Sequence, residues 1–415
     1  MSKRKKIIIW SVLGVIILAG LFLGRFYYLN LRGVAPALEK APADITQLIP
    51  DANAPTSSPA SVGVIASPLK LPTGFSIDIF AKSLPGARVM VFDQAGNLWL
   101  SQTGQGIVSE LFLDKGRLVR QKTVFSGLKN PHGLAFDPQD PKVLYVAEET
   151  KISKSIITSG VAGDLQKIID LPVGGRHFTR TLGFGPDGRL YVSIGSTCNV
   201  CQESDSRYAS IYSLNKDGSD WRQVAKGLRN SVFFIWNNKD GKMWATEMGR
   251  DLLGDNIPPD EINVIDTVSK SVLNFGWPNC YGQDIHDTDF DKNTYFRNPC
   301  QAPFELPSQI DLQAHSAPLG LAFAPDSWPK DYQGNLLVAF HGSWNRSVPT
   351  GYKVVRLILD AAGNLVRQED FISGWLTDNG AIGRPVDLIF DPAGNLYISD
   401  DKAGVIYKVE SVAKL

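Results

Sequence analysis

The sequence predicts an all-β protein, a six-bladed β-propeller, preceded by a single N-terminal transmembrane helix. Three observations predict it. One motif, an apolar strand, a Pro/Asp-Gly turn and a second strand, recurs six times between residue 68 and the end of the chain. A third strand-like run follows each copy. A long, uncharged and strongly apolar run, Ile7 to Gly24, lies at the N-terminus behind four consecutive cations, Lys3 to Lys6.

At about 1.5 Å per helical residue the apolar run crosses roughly 27 Å of hydrocarbon. The preceding cations place the N-terminus in the cytoplasm and the rest of the chain outside. Phe26, Tyr27 and Tyr28 stand where an interfacial aromatic belt would lie. A cleaved signal peptide is the competing reading, but the apolar stretch is long and no convincing A-x-A site follows. No cysteine lies near enough for a lipid anchor. Residues 1–32 are therefore read as a basic stub and membrane anchor, and both readings export the remaining chain. Residues 33–67, with Pro36, Pro42, Pro50, Pro55 and Pro59 among Ala and Ser, read as an extended tether that holds the domain off the membrane.

Residues 68–415 hold the repeats. They are VFDQAGNLWLSQ (91–102), AFDPQDPKVLYVAEE (135–149), GFGPDGRLYVSIG (183–195), IWNNKDGKMWATEM (235–248), AFAPDSWPKDYQGNLLVAFHG (322–342) and IFDPAGNLYISDD (389–401). The third strands are VSELFLD, SKSIITS, ASIYSLN, EINVIDT, KVVRLIL and GVIYKVE. The last repeat has three strands before Leu415, and Gly74–Phe80 is a strand-like run that could complete it, closing the ring without an open edge. Residues 250–320 exceed the repeat length and are expected to form elaborated loops over one face.

Composition narrows the function. The 42 basic and 42 acidic groups balance, but six of the basic ones lie in residues 1–32, so the remainder carries 36 against 42. A mildly acidic body excludes nucleic-acid binding through bulk charge. The four cysteines suit an oxidising compartment, with Cys198–Cys201 and Cys280–Cys300 the expected disulfides. A zinc site built from all four is the rival reading, weakened by the wide spacing of the second pair. Gln202 after Cys201 rules out a C-x-x-C-H haem site.

In a propeller the residues just before each first strand converge on one rim of the central channel. Here they are Ala87-Arg88, Asn130-Pro131-His132, His177-Phe178-Thr179-Arg180, Arg229-Asn230, His315-Ser316-Ala317-Pro318 and Gly383-Arg384. A ring of His and Arg about one axis suits an anionic or polar ligand. A neutral His within it could act as a general base.

With these residues in place the chain, over roughly 70–410, resembles the glucose/sorbosone dehydrogenases. The resemblance is carried by His177-Phe178 through GFGPDGRLYVSIG, GLRNS (227–231), ATEMGRD (245–251), PPDEINVI (258–265), NFGWP (274–278), HSAPLGLAF (315–323), FHGSWNR (340–346) and GYKVVRL (351–357). The last two look most like the sorbosone-dehydrogenase branch. The family are six-bladed quinoproteins that use pyrroloquinoline quinone (PQQ) and Ca²⁺. The resemblance implies an oxidoreductase acting on a sugar or sugar-derived aldehyde; the N-terminal anchor would make it membrane-bound with a periplasmic or otherwise extracytoplasmic domain, and such tethering would suit a quinone or a cytochrome as electron acceptor.

By the same resemblance His177 matches the base that deprotonates the anomeric hydroxyl. Arg229 and Asn230 match the pair beside the reactive quinone carbonyl. Gly249 and Arg250 match the residues whose carbonyls hold calcium, with Asp260 and Glu261 as candidate carboxylate ligands. Arg384 matches one of two arginines gripping the cofactor carboxylates. Val386 stands in place of the other, Ala324 near the position of a cofactor lysine, and Arg250 in place of a proline. His341, Arg346 and Arg180 are then expected to supply the remaining carboxylate donors. Two other functions fit a propeller: a non-catalytic envelope module binding a protein or glycan, and a lactonase. The second needs Glu, Asn and Asp converging on a channel metal, which this rim of His and Arg does not offer.

Overall fold

The computed structural model describes residues 2–53, 67–158 and 160–411. The predicted linker positions Pro55 and Pro59 and the C-terminal Leu415 lie outside the described residues. Six antiparallel sheets are arranged as blades, as the repeats predict. Their innermost strands are Ala87–Phe92, Leu134–Phe136, Leu182–Phe184, Phe234–Trp236, Pro318–Phe323 and Pro385–Phe390. Each is followed outward by its repeat's second and third strands.

The turns follow from residue chemistry. In Asp93-Gln94-Ala95-Gly96-Asn97 the Asp93 carboxylate accepts the Asn97 N–H at 2.8 Å, and Gly96 takes φ 84°, which a side chain would disfavour. The same Asp/Asn geometry recurs at Asp360–Asn364 and Asp391–Asn395. Second strands such as Leu98–Gln102, Leu190–Ile194 and Leu336–Phe340 are buried along their whole length, because neighbouring blades cover both faces.

Closure occurs as expected. Phe75–Ala81 pairs antiparallel with Val405–Ser411, Phe75 opposite Ser411, and completes the blade that begins at Pro385. The first and last segments of the domain thus share one sheet, and Phe75 packs at 4.8 to 5.1 Å against Trp328, Tyr332 and Phe371 of the preceding blade. The long exception also appears. Leu273–Asn274 adds a parallel fifth strand to the third blade, and Cys280–Tyr281 forms a short hairpin with Ile285–His286. Both disulfides form as predicted, Cys198–Cys201 and Cys280–Cys300, which removes the sulfurs from any zinc site.

The N-terminal run forms one helix, Lys3–Asn30, long and apolar enough to cross a membrane. The tether reading of 33–67 is corrected over its described part. Gly33 N–H donates to Arg346 O at 3.0 Å, and Ala35–Leu38 packs on the Gly380–Ala381 strand. Ile45 and Ile49 are 2% and 4% exposed inside the core of the last two blades. Asp51 bridges to Ile79, and Asn53 bonds both Phe80 O and Leu118 N–H. Two isoleucines four apart find apolar cover there, which outweighs the extended tendency of the prolines. The segment is a collar packed on the propeller.

Candidate active site

Connections between second and third strands, and from each fourth strand to the next blade, lie on one face and carry the predicted rim residues. A cavity of about 380 Å³ opens among them. Its floor includes Val232 and Leu319, which belong to one apolar cluster with Val89, Leu134 and Val386 from other innermost strands. That cluster plugs the channel, so the cavity is blind. His177, Asn230 and Met248 also line a second cavity of about 180 Å³, walled by Arg229, Gly249, Asp251 and His315.

His177 is the best-defined side chain here. Its Nδ1 lies 3.0 Å from Ser196 O and 2.9 Å from Ser196 Oγ. Ser196 Oγ spends its own proton on Cys198 O at 2.7 Å, so both Ser196 atoms accept. Nδ1 therefore carries the ring proton, and Nε2 keeps a lone pair. Gly195 makes room for the ring, since a Cβ there would meet both His177 and Asn230. Burial, then the Arg229 charge, push the His177 pKa down to about 3, so the ring is neutral at pH 7.

Arg229 is held by four acceptors: Asn199 O (2.9 Å), Asn199 Oδ1 (2.9 Å), Asp251 Oδ2 (2.8 Å) and Met248 O (3.2 Å). Asn199 lies within the Cys198–Cys201 loop and also accepts the Asp251 N–H at 2.8 Å. One four-residue disulfide loop thus positions His177 through Ser196 and Arg229 through Asn199. Neither supporting residue was singled out from the sequence; the C-N-V-C spacing was the available signal.

The other predicted residues divide. His341 lines the main cavity, its Nε2 2.8 Å from Asp401, and burial followed by the Arg384 charge lowers its pKa to about 4. Arg384 does not line either cavity. It donates to His341 O at 2.9 Å and Gly342 O at 2.7 Å, holding the loop that carries His341. Arg180 is fully buried and donates to the carbonyls of His177, Thr179 and Pro172. Arg346 donates to Ala314 O at 3.0 Å. None of these three arginines lines either cavity, and each donates to backbone carbonyls of the rim loops, with Arg180 and Arg346 keeping a buried Nε unpartnered. The cations that line the cavity are Arg88 and Arg176. Arg88 pairs with Asp401 at 2.7 Å and keeps a buried Nε without a partner. Arg176 is exposed and was missed beside His177.

The four predicted calcium residues do not form one site. Asp260 and Glu261 are neighbours in the strand Asp260–Ile265, so the pleat sends them to opposite faces. Asp260 accepts Gly249 N–H at 3.0 Å and Ala317 N–H at 2.9 Å; Glu261 accepts Gly282 N–H at 2.6 Å and Asn263 Nδ2 at 3.0 Å. Arg250 turns to Asp287 at 2.6 Å. That side-chain bond leaves the Arg250 backbone carbonyl, the atom the resemblance assigns to calcium, undiverted; Gly249 lines the smaller cavity with Asp260, and its missing Cβ lets Pro258 and Pro259 approach. Val386 is fully buried in the channel plug. Ala324 follows the far end of the strand Pro318–Phe323 and is 4% exposed, so the absence of lysine there takes nothing from this site.

A planar polyanion fits these residues. The orphaned Arg88 Nε and the free Arg176 offer charge-assisted donors, and the neutral His177 faces the same space. A divalent ion would be held by carbonyl oxygens such as those of Gly249 and Arg250 together with oxygens of its ligand, since Asp251 and Asp260 are already paired.

Fold and rim define a propeller with a blind, cation-lined cavity built around a neutral histidine. Residues 69–412 match the TrAA12-like family, and the chain belongs to it. It is 34% identical over 362 residues to an uncharacterised protein of Borreliella burgdorferi, covering 83% of this chain and 91% of that one. It is 24% identical over 408 residues to a pyrroloquinoline quinone-dependent pyranose dehydrogenase of Coprinopsis cinerea, covering 83% of this chain and 55% of that protein. The holo form of a pyranose dehydrogenase PQQ domain from the same fungus superposes with a TM-score of 0.70 at 22% identity, covering 82% of this chain and 97% of that one. A calcium structure of a family AA12 enzyme from Trichoderma reesei gives 0.70 at 21% identity, covering 83% and 97%. The structural likenesses establish the propeller.

Proposed function

We propose that the chain is a membrane-anchored quinoprotein oxidoreductase that oxidises a sugar or sugar-derived aldehyde with PQQ and Ca²⁺. The observation that carries this reading is His177, neutral, in a fixed tautomer, and lining a cavity with Arg176 and the Asp401-paired Arg88. The similarity to PQQ-dependent sugar dehydrogenases supports the cofactor and substrate class.

Arg88 and Arg176 would hold the cofactor's carboxylates, and the Gly249 carbonyl would help hold the calcium ion. Bound there, the quinone supplies a two-electron acceptor for hydride, polarised by the cation. His177 Nε2 takes the proton of the substrate's anomeric hydroxyl while the anomeric C–H leaves as hydride, which turns a hemiacetal carbon into a lactone carbonyl. Ser196 keeps the accepting nitrogen aimed at the substrate throughout. The immobilised Arg229 charge favours alkoxide character on the reacting oxygen, with Asn230 beside it. Val232 and Leu319 close the floor against water. The Lys3–Asn30 helix anchors the chain with its N-terminus inside and the propeller outside, where disulfides persist and a membrane quinone or cytochrome can accept electrons.

The test uses the purified full chain with PQQ and Ca²⁺. Cofactor absorbance and dye reduction are followed against aldoses and sorbosone. Saturable cofactor binding with sugar-dependent reduction is expected. A chain that binds no PQQ at micromolar concentration sinks the reading.

A further inference from the structure

A third cavity, of about 480 Å³, lies where the N-terminal helix meets the rim. One wall is the last turn of the helix and the residues after it: Tyr28, Leu29, Asn30 and Arg32. The opposite wall is the loop carrying Leu252 and Leu253. The junction is fixed in place. Gly33 N–H bonds Arg346 O, and a Cβ on Gly33 would collide with that carbonyl and with Ser347 O. Within the helix every residue before Asn30 is exposed or half-exposed, so the helix projects away from the rim and the cavity sits at its foot.

Asn30 is 6% exposed. Its Nδ2 donates to Phe26 O at 3.1 Å, while its Oδ1 is buried with no partner. A buried acceptor without a donor is costly and calls for a ligand hydroxyl or N–H. Arg32, lying over the Tyr28 ring at 4.2 Å, supplies a donor on the same wall. Leu29, Leu252 and Leu253 supply apolar surface. Against the single cation stand Asp255 and Asp289, so the lining is net negative and unsuited to a lipid phosphate. The volume lies within the range of about 300–1,000 Å³ usual for small-molecule sites.

The loop between this cavity and the candidate active site is continuous. Asp251, at its start, binds Arg229, and Gly254 O accepts from His315 Nε2 at 2.8 Å. Both Asp251 and His315 wall the smaller active-site cavity.

We propose that this cavity binds the headgroup of a lipid-soluble quinone, the electron acceptor of the reaction above; the redox part of the proposal rests on that reading. The ring lies among the leucines, one oxygen meets Arg32, and the hydroxyl of the reduced form donates to Asn30 Oδ1. The isoprenoid tail follows the apolar helix into the bilayer. Conversion of a hemiacetal to a lactone releases two electrons and two protons. The quinone takes up both, its two carbonyls becoming two hydroxyls.

Binding of decyl-tailed benzoquinone and naphthoquinone to the full chain in lipid nanodiscs is measured first, without PQQ or sugar. Saturable binding of at least one is expected, weakened about tenfold in Asn30→Leu and in Arg32→Gln, a loss typical of one buried polar contact. The same variants, loaded with PQQ and Ca²⁺, should keep sugar-dependent reduction of a soluble dye while losing quinone reduction in proportion. Absence of saturable binding by the wild type, or wild-type affinity in both variants, overturns the assignment. Quinone binding without any sugar-dependent dye reduction upholds the cavity and rejects the sugar dehydrogenase reading. Dye reduction without quinone binding does the reverse.

Discussion

Ser196 accepts the Nδ1 proton of His177 at two atoms, its carbonyl oxygen at 3.0 Å and its hydroxyl at 2.9 Å, and gives its own hydroxyl proton to Cys198 O. The histidine is thereby fixed in orientation and tautomer before any ligand arrives. Removing the ring removes the base. His177→Ala is expected to lower sugar-dependent dye reduction by about 10²- to 10⁴-fold, the usual worth of a general base, with an unchanged melting temperature. Ser196→Ala keeps the carbonyl contact and should cost only about tenfold or less. If His177→Ala stays within a few-fold of wild type, the base lies elsewhere.

Burial and Arg229 hold the His177 pKa down to about 3. An anionic ligand beside it favours the charged ring, so the pKa should rise when PQQ binds. Histidine ¹⁵N chemical shifts of the labelled protein, recorded from pH 4 to 8 with and without PQQ, read this directly. No upward movement on saturation would place the carboxylates away from His177.

Several buried carboxylates carry the opposite signature. Burial raises Asp260, Asp387 and Asp400 to about 7. Their folded pKa values lie above the unfolded ones, so between about pH 4 and 7 the folded chain binds more protons than the unfolded chain. Stability from these groups is present below the unfolded pKa and lost as pH rises through 7. The buried histidines, whose pKa values fall, act the other way, but only below about 6.5, where the unfolded ring charges. The melting temperature should therefore fall between pH 6.5 and 8, and Asp387→Asn should flatten that slope. A melting temperature that climbs over this range would contradict the raised carboxylates.

The two disulfides should separate in effect. Cys280–Cys300 spans 20 residues and Cys198–Cys201 spans 3. On loop entropy the longer one stabilises by about 3 kcal/mol and the shorter by about 2 kcal/mol. The shorter loop, however, positions Ser196 and Asn199, and through them His177 and Arg229. The pair Cys198→Ser with Cys201→Ser should cost more activity and less stability than Cys280→Ser with Cys300→Ser. Urea unfolding and dye-coupled turnover on both pairs check the crossing. An equal ratio of the two losses would deny the loop its positioning role.

Much of this was readable from residues. The Asp and Gly of each hairpin turn act locally, so the repeats announced the blades, and Phe75–Ala81 was recognisable as the closing strand. His177 and Asn230 fell at equivalent points of the repeats, and both line the cavity together with His341. The arginines misled because a guanidinium goes where free carbonyls are. For Arg180, Arg346 and Arg384 those carbonyls belong to rim loops whose path no periodicity encodes. Asp260 and Glu261 could have been separated in advance, since adjacent strand residues point to opposite faces. Residues 33–53 misled by composition: prolines and alanines look like a linker, and only the pair Ile45 and Ile49 hinted at a docking surface.

That pair yields the last prediction. Ile45 and Ile49 are 2% and 4% exposed within the core that holds Trp328, Phe371 and Trp375. Asn53 bonds backbone on both Phe80 and Leu118, tying the collar to the first and last blades. Burying an isoleucine side chain stabilises by about 1.5–3 kcal/mol. A propeller beginning at residue 68 loses both, while one beginning at residue 33 keeps them. The shorter protein should be about 3–6 kcal/mol less stable on that bookkeeping, an upper figure because the unfolded chain already covers some of the surface. Ile45→Ala with Ile49→Ala in the longer protein should reproduce most of the loss. Urea unfolding of the three proteins decides it. Equal midpoints would mean that the collar rests on the propeller without supporting it.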